Sequence, residues 1–384
     1  MKFLFFGDFV IKNIKDFSLS VELQELISSH DKILVNFEGT LTTAYDTPIS
    51  KVGPHIANCK DSILSLKNKG VNIFTLANNH ILDFGYDSFK ETILSLKESK
   101  IDFLGAGFSF EDCYAPLLIE TSTEKIALIN CCHAEFGVYK DKNIPLRAGY
   151  AWINNKKIDE NIRNFHDKGY KVIVLPHAGL ENSELPLPEW RDRYKEFINA
   201  GADIVIGGHP HIIQGKEIHK NHSIYFSLGN FCFYNKDKVD SLEWNAGLVV
   251  SYDTSTNLSQ EYFIEYKNKE VILSSSAIFK EYFKRRSSIF YNETLYNTEI
   301  TNIIKDVWFK TYKPLYEAVP NFIDCRHGLL KNLLKYFAKK LIFKKHFNKD
   351  LNETLLLHNI QIETHRYIVE RYLYLNNVKK NMLK

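Results

Sequence analysis

Along the first 211 residues, short apolar runs keep ending beside a side chain that can bind a metal. Lys2–Phe6 breaks at Gly7-Asp8, Lys32–Asn36 runs into Phe37-Glu38-Gly39, and Val71–Leu76 ends at Ala77-Asn78-Asn79-His80. Val172–Leu175 stops at Pro176-His177, and Ile204–Ile206 stops at Gly207-Gly208-His209. Such runs, bounded by turn formers, read as buried strands. Between them, 19–29, 60–69, 87–99, 156–168 and 189–200 carry helical spacing. Further strands are expected near Phe103 and at 115–120 and 125–131. Strand–helix alternation of this kind dictates a layered α/β fold. After His211 the pattern turns β-like, with strands expected at 215–219, 223–227, 246–252, 259–266 and 270–274.

The composition, 45% hydrophobic and 25% charged over 384 residues, is that of an ordinary globular protein of one large domain or two. The charge is uneven. Residues 280–384 hold 20 Lys and Arg against 10 Asp and Glu, whereas the remainder holds 29 against 36. The expected division is an α/β domain over 1–277 and a basic, aromatic-rich helical extension over 278–384. Within the extension, 329–347 places Leu330, Leu333, Leu334, Phe337 and Leu341 at helical spacing, with six lysines and no acidic residue. A basic amphipathic helix packs its apolar stripe on a neighbour, or lies on an anionic membrane surface or a synthase partner. The tail has no nucleic-acid-binding motif, so no nucleic-acid partner is expected.

No stretch approaches the roughly 18 apolar residues of a membrane span. The run from Phe3 stops too soon for a signal peptide, and the expected location is the cytoplasm, peripheral to a membrane if the tail binds lipid. The six cysteines show no C-x-x-C spacing and nothing marks an oxidising compartment. Cys131-Cys132-His133 could pair a thiol with an imidazole. Strand alternation sends adjacent side chains to opposite faces, however, and free cysteine is among the most buried residue types.

Taken together, the strand ends offer Asp8, Glu38, Asn79, His80, His177, His209 and His211. Carboxylate and imidazole are ligands for Zn, Mn or Fe, and one carboxylate can serve two ions. Pro210 stiffens the loop between His209 and His211. Each residue also has a plain explanation: Asp8 as a turn cap, Asn79 as a left-handed residue, His177 as a satisfied core histidine.

The motifs resemble the CapA family, associated with poly-γ-glutamate capsule synthesis, within the calcineurin-like metallophosphatase superfamily. The resemblance rests on Gly7-Asp8, Asn36-Phe37-Glu38, Asn78-Asn79-His80-Ile-Leu-Asp83-Phe-Gly85 and His177-Ala-Gly-Leu-Glu181. It continues through Gly201-Ala-Asp203-Ile-Val-Ile-Gly-Gly-His209-Pro-His211 and Tyr225-Phe-Ser-Leu-Gly-Asn230, and covers residues 1 to about 275. It implies a four-layered α/β/β/α sandwich holding one or two divalent ions (Mn, Fe or Zn) on Asp8, Glu38, Asn79, His177, His209 and His211, with Glu38 bridging. It further implies His80 as the group that protonates a leaving group or steadies an oxyanion, with Asp83 holding its tautomer. Glu181 and Asn230 would lie near the substrate. Arg191 would clamp an anionic substrate through its planar fork or be a solvated helix arginine.

The superfamily opens with D-x-H, whereas this chain has Asp8-Phe9-Val10, so one metal position lacks a histidine. The family's membrane anchor is also expected to be missing, since the first strand begins at Lys2. The function implied is metal-dependent hydrolysis of a phosphoester or a γ-glutamyl or other peptide-type bond in capsule or cell-surface polymer synthesis. The alternatives are a non-catalytic capsule-assembly protein, or a metal-assisted, non-hydrolytic peptide-modifying enzyme with His177 or Cys132 as base.

Overall fold

A computed structural model describes residues 1–42, 46–51, 53–143, 146–238, 240–313, 358 and 361–382. The apolar runs assemble into two sheets. The larger has nine strands, ordered Ser18–Leu19, Glu270–Ser274, Leu258–Lys267, Ala246–Asp253, Lys2–Val10, Lys32–Phe37, Ile73–Thr75 and Asp102–Leu104. Its ninth, Asn230–Phe233, pairs in parallel with the end of the N-terminal strand. The smaller has six, ordered Lys216–His219, His222–Tyr225, Ile204–Ile206, Lys171–His177, Lys125–Cys132 and Leu117–Glu120. In each sheet the strands carrying the predicted ligands pair in parallel, so their carboxyl ends share one edge.

The sheets pack face to face. Phe3, Phe5, Leu34 and Ile73 of the larger join Leu128, Ile173, Ile204 and Tyr225 of the smaller in one buried cluster. The outer face of the larger sheet, with Leu4, Phe6, Val35 and Phe74, is covered by Leu23, Ile27, Leu66, Phe89 and Ile93. These come from helices Val21–Ser28, Ser62–Asn68 and Gly85–Glu98. Helices Lys156–Asp167 and Pro188–Ala200 lie against the smaller sheet, burying Ile158, Ile162, Trp190 and Phe197. The layers are therefore α/β/β/α, as the resemblance implied.

Local chemistry sets the helix ends. Ser20 accepts a hydrogen bond from Leu23 N at the start of the first helix, satisfying one of the donors left over at a helix start. Pro188 opens the Pro188–Ala200 helix, where its missing N–H costs nothing, and left-handed Gly201 (φ 114°) closes it.

The N-terminal strand differs from expectation, running through Gly7-Asp8 to Val10 instead of stopping at Phe6. Its pairing with Lys32–Phe37 shifts register between Phe5 and Asp8. Phe3 and Phe5 face the opposing sheet while Phe9 packs on the helix side. The irregularity thus changes the phase of alternation and turns Asp8 inward. Gly7 permits it, because a Cβ there would overlap the Gly229 carbonyl, to which Asp8 N donates a hydrogen bond of 3.1 Å.

The chain divides into two compact units: Met1–Ile49 with Pro54–Asn297, and Ser50–Gly53 with Thr298–Lys384. In the second, Trp308 stacks on Tyr372 at 4.4 Å and Tyr312 meets His365 edge-on at 5.0 Å. The basic stretch 329–347 lies outside the described residues. No helix among the described residues is long and apolar enough to cross a membrane.

A candidate metal centre at the strand ends

The register of the two sheets brings the polar strand ends together. In the larger sheet Asp8 pairs with both Asn36 and Asn230. In the smaller, His177 pairs with Cys132 and bridges to Gly208. Asp8, Glu38, Asn79, His80, Asp83, His177, His209 and His211 come together in this way, and none exceeds 4% exposure.

Contacts among them are close. Asn36 Nδ2 donates to Asp8 Oδ1 at 2.7 Å, and His211 Nδ1 lies 3.2 Å from Asp8 Oδ2. His177 Nδ1 is 3.7 Å from Asp8 Oδ1, and its Nε2 is 3.3 Å from His209 Nδ1. Glu38 Oε1 sits 3.7 Å from His80 Nε2 and 3.8 Å from His211 Nε2. His80 Nδ1 is held at 2.6 Å by Asp83 Oδ2, which also accepts from Ile56 N at 2.8 Å. Asn78 ties the Glu38 loop to the His80 loop: its Oδ1 accepts from Gly39 N at 3.1 Å and His80 N at 3.3 Å.

Both carboxylate oxygens of Glu38, and the side-chain oxygen of Asn79, are buried without a hydrogen-bond partner. An unsatisfied buried acceptor costs roughly 1–3 kcal/mol, and a buried unpaired charge more. A cation bound there offsets that cost. Asp8, Glu38 and His211 also bring their ligand atoms within 4.8 Å of one another. The residues present therefore fit a divalent metal.

Burial and neighbouring charges set the protonation of the metal-free cluster. Burial pushes the Glu38 carboxyl well above its ordinary value, and the His211 charge only partly opposes this. Burial, reinforced by neighbouring imidazoles, lowers His209 well below its ordinary value. Burial likewise takes His177 down to about 3 despite the Asp8 carboxylate. Both imidazoles are thus neutral, the form that ligates metal. For His211, burial also disfavours the charge, but Glu38 and Asp8 outweigh it and lift the imidazole to about 10.

The loop carrying two of these histidines is strained, with His209 at φ 98° and His211 at φ 61°. Left-handed non-glycine residues cost roughly 1–3 kcal/mol each and concentrate at functional sites.

Of the residues expected near substrate, Glu181 is exposed, and its charge helps to raise the carboxyl of Glu38. Asn230 is occupied: its Oδ1 lies 3.1 Å from His211 Nδ1 and its Nδ2 donates to Trp244 O at 2.9 Å, so it orients the histidine. Arg191 does not join the cluster. Its Nε and Nη2 donate to the two Glu217 oxygens, each at 2.8 Å, Nη1 donates to Glu293 at 3.0 Å, and Tyr296 covers the guanidinium. It is neither a substrate clamp nor a solvated arginine, because its fork is spent on a buried carboxylate. Cys131 and Cys132 are fully buried, and burial pushes the Cys131 thiol up to about 12, out of the range of a thiolate nucleophile.

The structure brings His133, which the sequence offered only as a thiol's partner, into the cluster and adds Glu135; both follow the Lys125–Cys132 strand. Glu135 Oε1 is 2.8 Å from His133 Nε2, its Oε2 accepts from Asn79 Nδ2 at 3.1 Å, and the His133 and His209 rings meet at 4.4 Å. The signal was the one used elsewhere, a ligand-type residue just past a strand.

The profile of the family described as bacterial capsule synthesis protein PGA_cap matches residues 10–235. The capsule biosynthesis protein CapA of Bacillus anthracis is 32% identical over 184 residues, 47% of this chain and 44% of that protein. The PGA biosynthesis protein CapA of Bacillus subtilis (strain 168) is 26% identical over 217 residues, 55% of each. The chain thus spans about half the length of the curated relatives it matches. Among solved structures, a hypothetical protein from Thermus thermophilus superposes with a TM-score of 0.43 at 12% identity, covering 69% of this chain and 99% of that one.

Proposed function

The chain belongs to the bacterial capsule synthesis protein PGA_cap family, and from that membership we propose that it is a metal-dependent hydrolase acting in capsule or cell-surface polymer synthesis. The bond cleaved is a phosphoester or a γ-glutamyl or other peptide-type bond. The observation that carries this reading is Glu38, a fully buried carboxylate whose two oxygens accept no hydrogen bond. Asp8, Glu38, Asn79, His177, His209 and His211 would hold the metal. A bound divalent ion supplies Lewis acidity and lowers the pKa of a nearby water.

The chain's own residues do the rest. His80 points Nε2 toward the Glu38 side of the site while Asp83 grips Nδ1. That fixes the ring, so Nε2 can deliver a proton to a departing oxygen or nitrogen. Asn36 and His211 orient Asp8. The names of the two Bacillus relatives, capsule biosynthesis and PGA biosynthesis, support an anionic polymer or its precursor as substrate.

A second reading, a non-catalytic assembly protein on the same fold, is favoured by Val10. It stands where the superfamily's D-x-H motif has its histidine, and it packs with Ile56, Phe233 and Trp244 as a buried apolar residue.

The test is to purify the protein without chelator and measure its metal, then supply Mn, Fe or Zn and assay phosphodiesters and γ-glutamyl peptides. Bound metal whose content falls in His209→Ala, with turnover falling ~10²–10⁴-fold in His80→Ala, is the expected result. Absence of bound metal after supplementation overturns the proposal, and bound metal without turnover of either class leaves the assembly reading in its place.

A further inference from the structure

We propose that His133 and Glu135, together with His209 and the side-chain oxygen of Asn79, form a second cation position, filled alongside the one at Asp8, Glu38 and His211. This rests on the metal-dependent reading above and extends it to residues outside the ligand set that the sequence motifs suggest.

Three observations point there. His133, Glu135 and His209 each offer a ligand atom within 4.8 Å of the others, and all three are buried. Asn79 donates its amide N–H to Glu135 Oε2 at 3.1 Å, which fixes the amide and leaves its buried Oδ1 as the unpartnered atom. An oriented carbonyl oxygen with no protein donor is what an oxygen-accepting cation needs. The turn is also built rigidly. Tyr150 OH donates to His133 O at 3.0 Å and accepts from Glu135 N at 2.8 Å, while His133 N donates to His177 O at 3.2 Å.

Charge supplies the reason. Two divalent ions bring more positive charge than Asp8 and Glu38 neutralise, and buried Val10 offers no ligand where the D-x-H motif has its histidine. Glu135 adds a carboxylate beyond Asp8, Glu38 and the His80-bound Asp83, and its ligand atom lies within 4.8 Å of that of His209. The mixed nitrogen and oxygen donor set suits Mn, Fe or Zn.

The experiment loads the metal-free full chain with Mn(II), counts the ions retained, and records the electron paramagnetic resonance spectrum. Wild type should hold about two ions per chain with a spin-coupled signal, as ions sharing a site do. Glu135→Gln, which still offers Asn79 an acceptor, should fall to about one ion with an isolated-ion spectrum, the second ion binding ≥ ~10-fold more weakly. Glu135→Asp should recover part of the coupled signal. Melting of the metal-free variants separates ligand loss from misfolding, and His133→Asn, read in the same way, covers a Glu135 variant that does not fold.

Retention of two coupled ions at wild-type affinity in Glu135→Gln would make Glu135 only a positioning partner of Asn79 and overturn the inference. So would a wild type that binds one ion whatever the residue at 135. A wild type that binds no ion sinks the hydrolase reading as well, whereas two coupled ions without turnover sink that reading alone.

Discussion

His177 and His209 carry no charge in the folded, metal-free cluster, because burial holds both below their ordinary pKa, His177 at about 3. In the unfolded chain they titrate near 6.5. Below that pH the unfolded state takes up protons that the folded state refuses, so stability falls as pH drops from about 6.5 toward 3. His177 contributes roughly 1.4 kcal/mol per pH unit in that window, and His209 acts in the same direction. Glu38 works in the opposite sense, since its raised carboxyl binds its proton more readily folded than unfolded. It trims the slope without reversing it. His211, raised to about 10, adds stability that is complete below 6.5 and lost only as pH rises through about 10. Thermal melts of chelated protein should therefore fall steeply between pH 6.5 and 4.5, and His177→Asn should flatten the curve. A pH-independent melting temperature there would show that the cluster is hydrated or open.

At the scale of elements, the N-terminal strand carries the decisive local feature. It must place Phe3, Phe5 and Asp8 on the same side, and strict alternation forbids that. The register shift beside Gly7 resolves the conflict, and it works only because the Gly229 backbone can occupy the space a side chain would fill. Gly7→Ala should force the strands apart at a cost of ~1–3 kcal/mol and displace Asp8 from His211. The measurements are a denaturant midpoint and metal content. Loss of metal out of proportion to the loss of stability is expected, and unchanged values for both would mean that the register shift is incidental.

Across the whole α/β unit, Arg191 ties together parts far apart in sequence. From the Pro188–Ala200 helix it reaches Glu217 on an edge strand, the Phe290 carbonyl and Glu293. Removing one partner of a buried ion pair costs about 3–5 kcal/mol, because the other charge remains. Lys195 Nζ, 3.0 Å from Glu217, softens that here. Arg191→Met should lower stability by ~2–4 kcal/mol and leave KM unchanged at temperatures where the variant stays folded. A raised KM with native stability would restore the substrate-clamp role that the sequence suggested.

The longer strands and helices of the α/β unit, their order, and the ligand-type residues at 8, 38, 79, 80, 177, 209 and 211 were legible along the chain, whereas short elements such as Ser18–Leu19, Asn230–Phe233 and Phe110–Tyr114 were not. Apolar period, capping residues and turn formers are local signals, and a parallel layered sheet puts its strand ends on one edge. Three things were decided only by tertiary structure. The inward turn of Asp8 depends on a glycine meeting a backbone more than 200 residues away. The service of Asn230 to His211, and of Arg191 to Glu217, depends on which partner lies within hydrogen-bond reach once the sheets close. Glu135 enters the cluster because the strand it follows pairs beside His177, a fact of register that no spacing along the chain encodes.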